Sequence, residues 1–177
     1  MHGTICSELN TYITNKFGFD VWQKIRTDCD LGSKIYITSQ NYPDEEMIQI
    51  IKSLSAQTGK DEPWIMEDFG KFMAEYIVKF FGTLFEPQWG TLDLLENIPA
   101  VLSRVLSMYP EMSHPELNTT RVEPNVLDIT YSSKLKMCAL AKGVVKGFGE
   151  HYQENVFIVE NSCIHNGDES CQISVTT

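Results

Sequence analysis

The chain has 177 residues, of which 42% are hydrophobic, and this is enough for one domain with a sizeable core. Its formal net charge is −10, from 24 acidic and 14 basic residues. This balance argues against nucleic acid or an anionic membrane surface as the main partner, because both need clustered positive charge.

The sequence also bears on the compartment. It has no apolar run long enough to cross a bilayer, and its first ten residues lack the basic region and apolar core of a signal peptide. We therefore expect a cytoplasmic protein without a membrane span. In that compartment five cysteines, an odd number, favour reduced thiols, some of them on a metal, over a disulfide framework.

The first half of the chain is predicted to be helical. Apolar residues recur there in steps of three and four, the spacing of an amphipathic helix, at residues 3–17, 20–31, 44–58 and 64–81. Residues 34–39 are β-branched and aromatic, which indicates a short strand or extended segment. We place a helical subdomain at residues 1–90 and a second subdomain at residues 91–177, within a single domain spanning residues 1–177.

A central helix is predicted at residues 97–109 (NIPAVLSRVLSMY). Asn97 is a good N-cap, and Pro99 in the first turn has no N–H to leave unpaired. Leu102 is at the middle of the apolar face and is expected to point into the fold. The residues of that face are Leu95, Ile98, Leu102, Val105 or Leu106, and Tyr109.

The rest of the chain alternates strands with one helix. Prolines at positions 110 and 115 indicate a loop, because proline disfavours helix at the residue before it. Strands are predicted at 117–122, 126–131, 155–162 and 170–175, with a helix at 135–152. The last two strands form a hairpin around Asn166-Gly167-Asp168. Helices followed by an antiparallel sheet with a helix across it predict an α+β fold.

Short motifs recur along the whole chain in one order. They are Met1-x-Gly3, Trp22, YPDEE at 42–46, DFGKFM at 68–73, Met108-Tyr109-Pro110 with Pro115 beyond it, Tyr131-Ser132-Ser133, and CIHNGDESC at 163–171. In this order they resemble the haem-nitric oxide/oxygen binding (H-NOX) family. The resemblance implies the fold of that family and the function of a sensor.

Two positions depart from the family pattern. In the family, a His of the central helix, eight residues before the position of Pro110, binds the haem iron, and here this register contains Leu102. The family's Y-x-S-x-R motif binds the haem propionates, and here it reads Tyr131, Ser133 and Leu135. The guanidinium that would hold the propionates is absent from that motif. The resemblance therefore implies a pocket without its usual haem contacts.

Both departures replace a polar contact by hydrocarbon. Burying each leucine favours folding by about 1.5–3 kcal/mol. We expect either a pocket that binds an apolar molecule, such as a fatty acid or another lipid, or a pocket that has collapsed onto its own side chains. Its predicted lining is Ile98, Leu102, Val105, Pro115, Tyr131, Ser133 and Leu135.

A gas-sensing haem protein for NO or O2 with non-standard ligation is the alternative. His114, beside Pro115, is the imidazole nearest in sequence to the lost ligand. The other imidazoles belong to His2, His151 and His165, and Cys or Met ligation is also open.

A structural zinc site is predicted around three cysteines. A hairpin at Gly167 makes Cys163 and Cys171 cross-strand neighbours, with Cβ atoms about 4.5–5.5 Å apart, and Cys138 begins the helix that packs on this sheet. The resemblance to the zinc-bearing branch of the family places the fourth ligand at Glu160, with His165 as a nearby substitute. The alternative is a reduced cysteine pair or an adventitious disulfide.

No motif of the sequence indicates an enzyme. The chain contains no G-x-S-x-G, H-E-x-x-H, phosphate loop or dinucleotide fingerprint, and its acidic residues lie on helix faces or in first turns. The resemblance implies a sensor for a histidine kinase, guanylate cyclase or other cyclic-nucleotide enzyme. Because the chain ends at Thr177 without an output domain, we expect this partner to be a separate protein.

Overall fold

The four helices predicted in residues 1–90 are all present. The structure, a computed structural model, describes residues 1–110 and 114–177. The helices are α1 (Gly3–Phe17), α2 (Phe19–Asp28), α3 (Asp44–Thr58), α4 (Glu62–Phe81) and α5 (Thr91–Met108), with a 3-10 turn at Gly82–Leu84. The Asp61 carboxylate accepts the Trp64 N–H at the start of α4, and Gly59, in the left-handed conformation, ends α3.

The second half contains the sheet and one more helix. Its elements are β1 (Glu116–Glu123), β2 (Val126–Ser132), α6 (Cys138–Tyr152), β3 (Phe157–Ser162) and β4 (Cys171–Thr176). The four strands are antiparallel in the order β1-β2-β4-β3. Val145 and Phe148 of α6 pack on the buried face of β2 and β4. The α+β prediction is confirmed.

The core consists of two hydrophobic clusters that share two helices. The first cluster is formed mainly by α1 to α4, and the second by the sheet, the first half of α5, and α6. On α4 the boundary runs between Met73, in the first cluster, and Ala74, in the second. Val144 of α6 packs against both clusters, so α4 and α6 join the two halves of the molecule.

The predicted start of the central helix is wrong. Helix α5 begins at Thr91, where the Gly90 N–H donates to the Asp93 carboxylate, and Pro99 lies inside the helix. The Asn97 side chain donates to the Asp93 carbonyl one turn earlier instead of capping. The first two turns carry buried leucines of the second cluster, Leu92, Leu94 and Leu95. Their burial extends the helix across a proline that removes one backbone hydrogen bond.

Three smaller predictions also differ from the structure. Of the two forms predicted for residues 34–39, the strand is wrong, because they form an irregular segment in which the Lys34 and Tyr36 side chains donate to the Glu46 carboxylate. Helix α2 ends at Asp28, because Asp30 adopts a positive φ. Helix α6 begins at Cys138 rather than at residue 135, because Lys136 also adopts a positive φ.

The predicted loop between α5 and β1 includes residues 111–113, which lie outside the described residues. Over residues 1–110 and 114–177, no helix combines the length and the apolar character needed to span a membrane.

Candidate functional site

An open groove runs along one face of α5. Its volume is about 380 Å³, within the range of small-molecule sites. One wall belongs to α5, and the other to the segment that enters β1. The lining residues are Pro99, Leu102, Ser103, Leu106, His114, Pro115, Glu116, Leu117 and Asn118. Leu102 therefore faces this groove from the middle of the α5 wall.

The structure brings together only some of the residues predicted to line a pocket. Leu102 and Pro115 line the groove on opposite walls. Val105 is buried on α5, and Ile98 packs against the second cluster. Val105 and Ile98 are therefore on α5 beside Leu102 but are not among the residues that line the groove.

The three remaining predicted residues lie at the end of β2 and in the turn to α6. Tyr131 is buried and pairs with Leu117 of β1, which itself lines the groove. The Ser133 hydroxyl accepts the Leu135 N–H at 3.2 Å. Tyr131, Ser133 and Leu135 are not among the residues that line the groove.

The residues at the two family haem contacts do not fit a histidine-ligated haem. Leu102 has no atom that can bind iron, and Leu135 has no donor for a propionate. Lys134 and Lys136, which flank Leu135, are both exposed. Only the Tyr131 and Ser133 hydroxyl groups of the propionate motif are retained.

His2 is a residue whose importance the sequence did not indicate. Its side chain is 2% exposed, and neither ring nitrogen has a hydrogen-bond partner within the part of the chain that the structure describes. Its ring contacts the Tyr109 ring edge-on, with 6.4 Å between centroids. The motif Met1-x-Gly3 gives no signal at its variable position, and the ring contact joins His2 to Tyr109, which is remote in sequence.

Three cysteines and one glutamate converge beneath the sheet. Cys138 is the first residue of α6, Cys163 follows β3, and Cys171 begins β4. The Cys163 sulfur lies 3.7 Å from the Cys138 sulfur and 3.7 Å from the Cys171 sulfur. The three sulfurs and a Glu160 carboxylate oxygen all lie within 4.8 Å of one another. A tetrahedral zinc with Zn–S bonds of about 2.3 Å would set its sulfurs about 3.8 Å apart, close to this spacing.

The surroundings of the cluster are apolar on one side and charged on the other. All three thiols are free and buried. Burial, followed by the neighbouring thiols, raises the pKa of Cys138 to about 12, and burial also raises the pKa of Cys171. The Glu160 carboxylate accepts from Lys142 at 3.2 Å at the more exposed edge.

The loop between β3 and β4 positions two of the thiols. The Ile164 N–H donates to the Cys171 sulfur at 3.4 Å, and the Cys163 N–H donates to the Asp168 carboxylate at 2.8 Å. His165, the predicted substitute ligand, is exposed, and its Nε2 lies 2.7 Å from the Lys136 carbonyl oxygen. The structure thus groups Glu160, and not His165, with the three cysteines.

Sequence comparison matches the chain to one family. The family model described as haem-NO-binding matches residues 2–160. Two soluble guanylate cyclases of Drosophila melanogaster, 89Da and 89Db, are 27% and 26% identical over 135 residues, or 75% of this chain. The match covers 20% of each cyclase, so this chain corresponds to about a fifth of their length.

Solved H-NOX structures have the same fold. An H-NOX protein from S. oneidensis in the Fe(II)NO ligation state has a TM-score of 0.91 and 21% identity, covering 99% of this chain and 98% of that chain. The Fe(II) unliganded H-NOX protein from K. algicida has a TM-score of 0.89 and 22% identity, covering 99% of this chain and 96% of that chain. Because the family model spans nearly the whole chain and the folds agree, this chain belongs to the haem-NO-binding family, the H-NOX domains.

Proposed function

We propose that this H-NOX domain is a cytoplasmic sensor that binds an apolar small molecule, a fatty acid or another lipid, in place of histidine-ligated haem. H-NOX domains are sensor domains and are not themselves catalytic. The observation that carries the proposal is the position of Leu102, a hydrocarbon side chain at the middle of the groove wall.

The groove has the chemistry to hold a hydrocarbon chain. Leu102, Leu106 and Leu117 contribute apolar surface on both walls, together with Pro99 and Pro115. Each buried CH2 group favours binding by about 0.8 kcal/mol. Ten such groups would contribute about 8 kcal/mol before the costs of association and of ordering the ligand.

Signalling would follow from the position of the groove on α5. The first half of α5 is built into the second cluster, and Tyr109 at its far end contacts His2 at the start of α1. A ligand beside Leu102 would shift the sheet-bearing half relative to the helical half. A partner of the histidine kinase or cyclase class would respond to this shift. The cyclase names of the Drosophila relatives favour that partner class.

A structural zinc is part of the same proposal. Cys138, Cys163, Cys171 and Glu160 would be its four ligands, and the sulfur spacing of 3.7 Å supports this assignment. In this arrangement, zinc would fix the start of α6 to the β3–β4 loop.

A haem sensor with non-standard ligation is the second candidate, and one observation favours it. The buried imidazole of His2 has no hydrogen-bond partner among the described residues. Haem whose iron is bound by the His2 imidazole would produce a Soret band without the usual central-helix histidine.

Haem titration and native mass spectrometry separate these functions. We expect purified protein to show no stoichiometric Soret band with added haem, and to carry a lipid-sized mass after gentle isolation. A stoichiometric Soret band would contradict the proposal. A folded protein that carries no small molecule, and takes up neither oleic acid nor haem, would instead indicate a collapsed pocket.

A double substitution tests whether the family haem site was lost through these two residues. We expect Leu102→His combined with Leu135→Arg to restore haem uptake, because it returns both the iron ligand and the propionate contact. Leu106→His combined with Leu135→Arg is the matched control, since Leu106 lies one turn further along the same wall. Equal uptake by the two pairs would contradict a specific haem site at Leu102.

A further inference from the structure

His2 occupies a buried position where its side chain is left without a polar partner. The residue precedes α1, and its backbone pairs with Asn41, while the N–H of Gly3 donates to the Gln40 carbonyl at 2.7 Å. These bonds involve only backbone atoms. The imidazole contributes no capping bond to α1, and both of its nitrogens are unpaired within the described residues. Buried polar groups of proteins are nearly always paired, so this one requires an explanation.

The ring of His2 lies near the C-terminal end of α5, the helix whose middle forms one wall of the groove. It contacts Tyr109, which directly follows α5, with 6.4 Å between centroids and an interplanar angle of 66°. Tyr109 follows Leu102 by seven residues, so it lies about two turns, or roughly 10 Å, further along the same face. Leu106, between them, also lines the groove. The imidazole is therefore within the length of a hydrocarbon chain that contacts Leu102.

We propose that His2 is the polar anchor of the sensor's ligand, and that the ligand is a long-chain carboxylic acid. Its head group would pair with the imidazole of His2, and its tail would lie along Leu106 and Leu102. This inference rests on the proposed function and specifies the class of ligand. No covalent step is involved.

The hydrogen-bonding capacity of imidazole selects this class. A neutral imidazole offers one donor and one acceptor on different edges of the ring, and a carboxyl group can pair with either one, accepting from the N–H or, when protonated, donating to the other nitrogen. A carboxylate accepts from the ring N–H in a charge-assisted bond, about twice as strong as a neutral one. A plain hydrocarbon would leave both nitrogens unpaired.

A headgroup comparison tests the anchor in the full chain. Oleic acid and 1-octadecene have the same chain length, but only the first has a carboxyl group. We expect the wild-type protein to bind oleic acid at least about tenfold more tightly than 1-octadecene by competition in native mass spectrometry. In His2→Phe this preference should fall to within about twofold, while the affinity for 1-octadecene stays unchanged.

The matched control and a second readout separate anchoring from structure. His151→Phe changes an exposed imidazole on α6 and should retain the full preference for oleic acid. Without ligand, His2→Phe should raise the melting temperature by about 2–4 °C, because it removes the unpaired nitrogens and keeps a ring in place. His2→Gln restores a hydrogen-bond donor and should regain part of the preference for oleic acid. This variant still tests the anchor if His2→Phe fails to fold.

Each outcome has a separate meaning. If wild type and His2→Phe bind both probes alike, the anchor is wrong while the apolar-ligand function stands. If neither probe binds the folded wild-type protein, the proposed function fails and the anchor fails with it. If haem gives a Soret band in wild type that His2→Phe abolishes, the imidazole is an iron ligand, and the carboxylic-acid assignment is overturned.

Discussion

Tyr12 shows how one buried hydroxyl fixes two helices of the first cluster. The residue is 2% exposed on α1, and its hydroxyl donates to the Asp68 carboxylate of α4 at 2.6 Å. Lys16, one turn further on α1, pairs with the same carboxylate. Burial, followed by the hydrogen bond and the charge of Asp68, raises the pKa of Tyr12 well above its ordinary value. The neutral phenol is therefore the form that the fold selects.

The raised pKa of Tyr12 predicts a specific loss of stability in alkali. Below the unfolded-state pKa of about 10, the neutral Tyr12 contributes its full stabilisation to the fold. This stabilisation decreases as pH rises above that value, by up to about 1.4 kcal/mol per pH unit. We expect Tyr12→Phe to be about 1.5–3 kcal/mol less stable at pH 7, with the difference narrowing above pH 10. Urea unfolding between pH 7 and 11 measures this. Parallel pH profiles for wild type and Tyr12→Phe would contradict the assignment.

Single residues also show how far a sequence reveals a site. The changes at Leu102 and Leu135 could be identified because each falls on a fixed register of a family motif. The cysteine cluster could be predicted because the turn signal at Gly167 sets Cys163 and Cys171 at the facing ends of two paired strands. His2 could not be identified in this way, because its burial comes from tertiary packing, and its ring contact is with Tyr109, which is remote in sequence.

At the scale of elements, the close contact between α4 and α6 depends on glycine residues, which have no side chain. Gly70 of α4 faces Gly143 of α6 so closely that a Cβ on either would overlap the other helix's backbone. A Cβ on Gly143 would collide with the Glu67 carbonyl, which is backbone and cannot move aside alone. Close backbone approach is the reason for glycine at these helix positions, where it otherwise lowers helix stability.

The glycine joint predicts opposite effects for two alanine substitutions. Gly143→Ala should lower the free energy of unfolding by about 1–3 kcal/mol, since overpacking outweighs the gain in helix propensity. Gly82→Ala is the control, because its φ of −59° suits any residue and its added Cβ meets only a Val78 methyl at 4.0 Å. It should be neutral or stabilising by up to about 1 kcal/mol. Urea unfolding compares the two, and equal effects would contradict a tight joint.

The kind of each long element was predictable, while its ends depended on packing. Amphipathic spacing predicted α1, α3 and α4, and the strands of the sheet were predicted with bounds close to the observed ones. The start of α5 was misplaced because Pro99 usually marks a first turn, whereas buried Leu92 and Leu94 extend the helix past it. Residues 34–39 have strand composition but form no strand, and the side chains of Lys34 and Tyr36 donate to Glu46 of α3.

At the scale of the whole molecule, two hydrophobic clusters are held by elements that cross between them. Helix α6 packs on the sheet, contacts α4 along its length, and begins at Cys138. The proposed zinc ligands Cys163 and Cys171 belong to the hairpin that forms the other edge of the sheet. A metal at this point would therefore stabilise the arrangement of the sheet-bearing half and, through α6, the whole fold.

Removal of the proposed zinc should lower the stability of the entire chain. At free zinc about a thousandfold above Kd, binding contributes about 4 kcal/mol, which corresponds to a melting temperature roughly 8–16 °C higher than without metal. A chelator such as EDTA should remove this increment from wild type. Cys163→Ser should lose it without chelator, because it deletes the sulfur that lies between the other two. Cys29→Ser, which changes a free thiol packed against the first cluster, should retain it. A chelator that leaves the wild-type melting curve unchanged, with no zinc found by elemental analysis, would contradict the zinc site and identify the three thiols as a reduced, metal-free cluster.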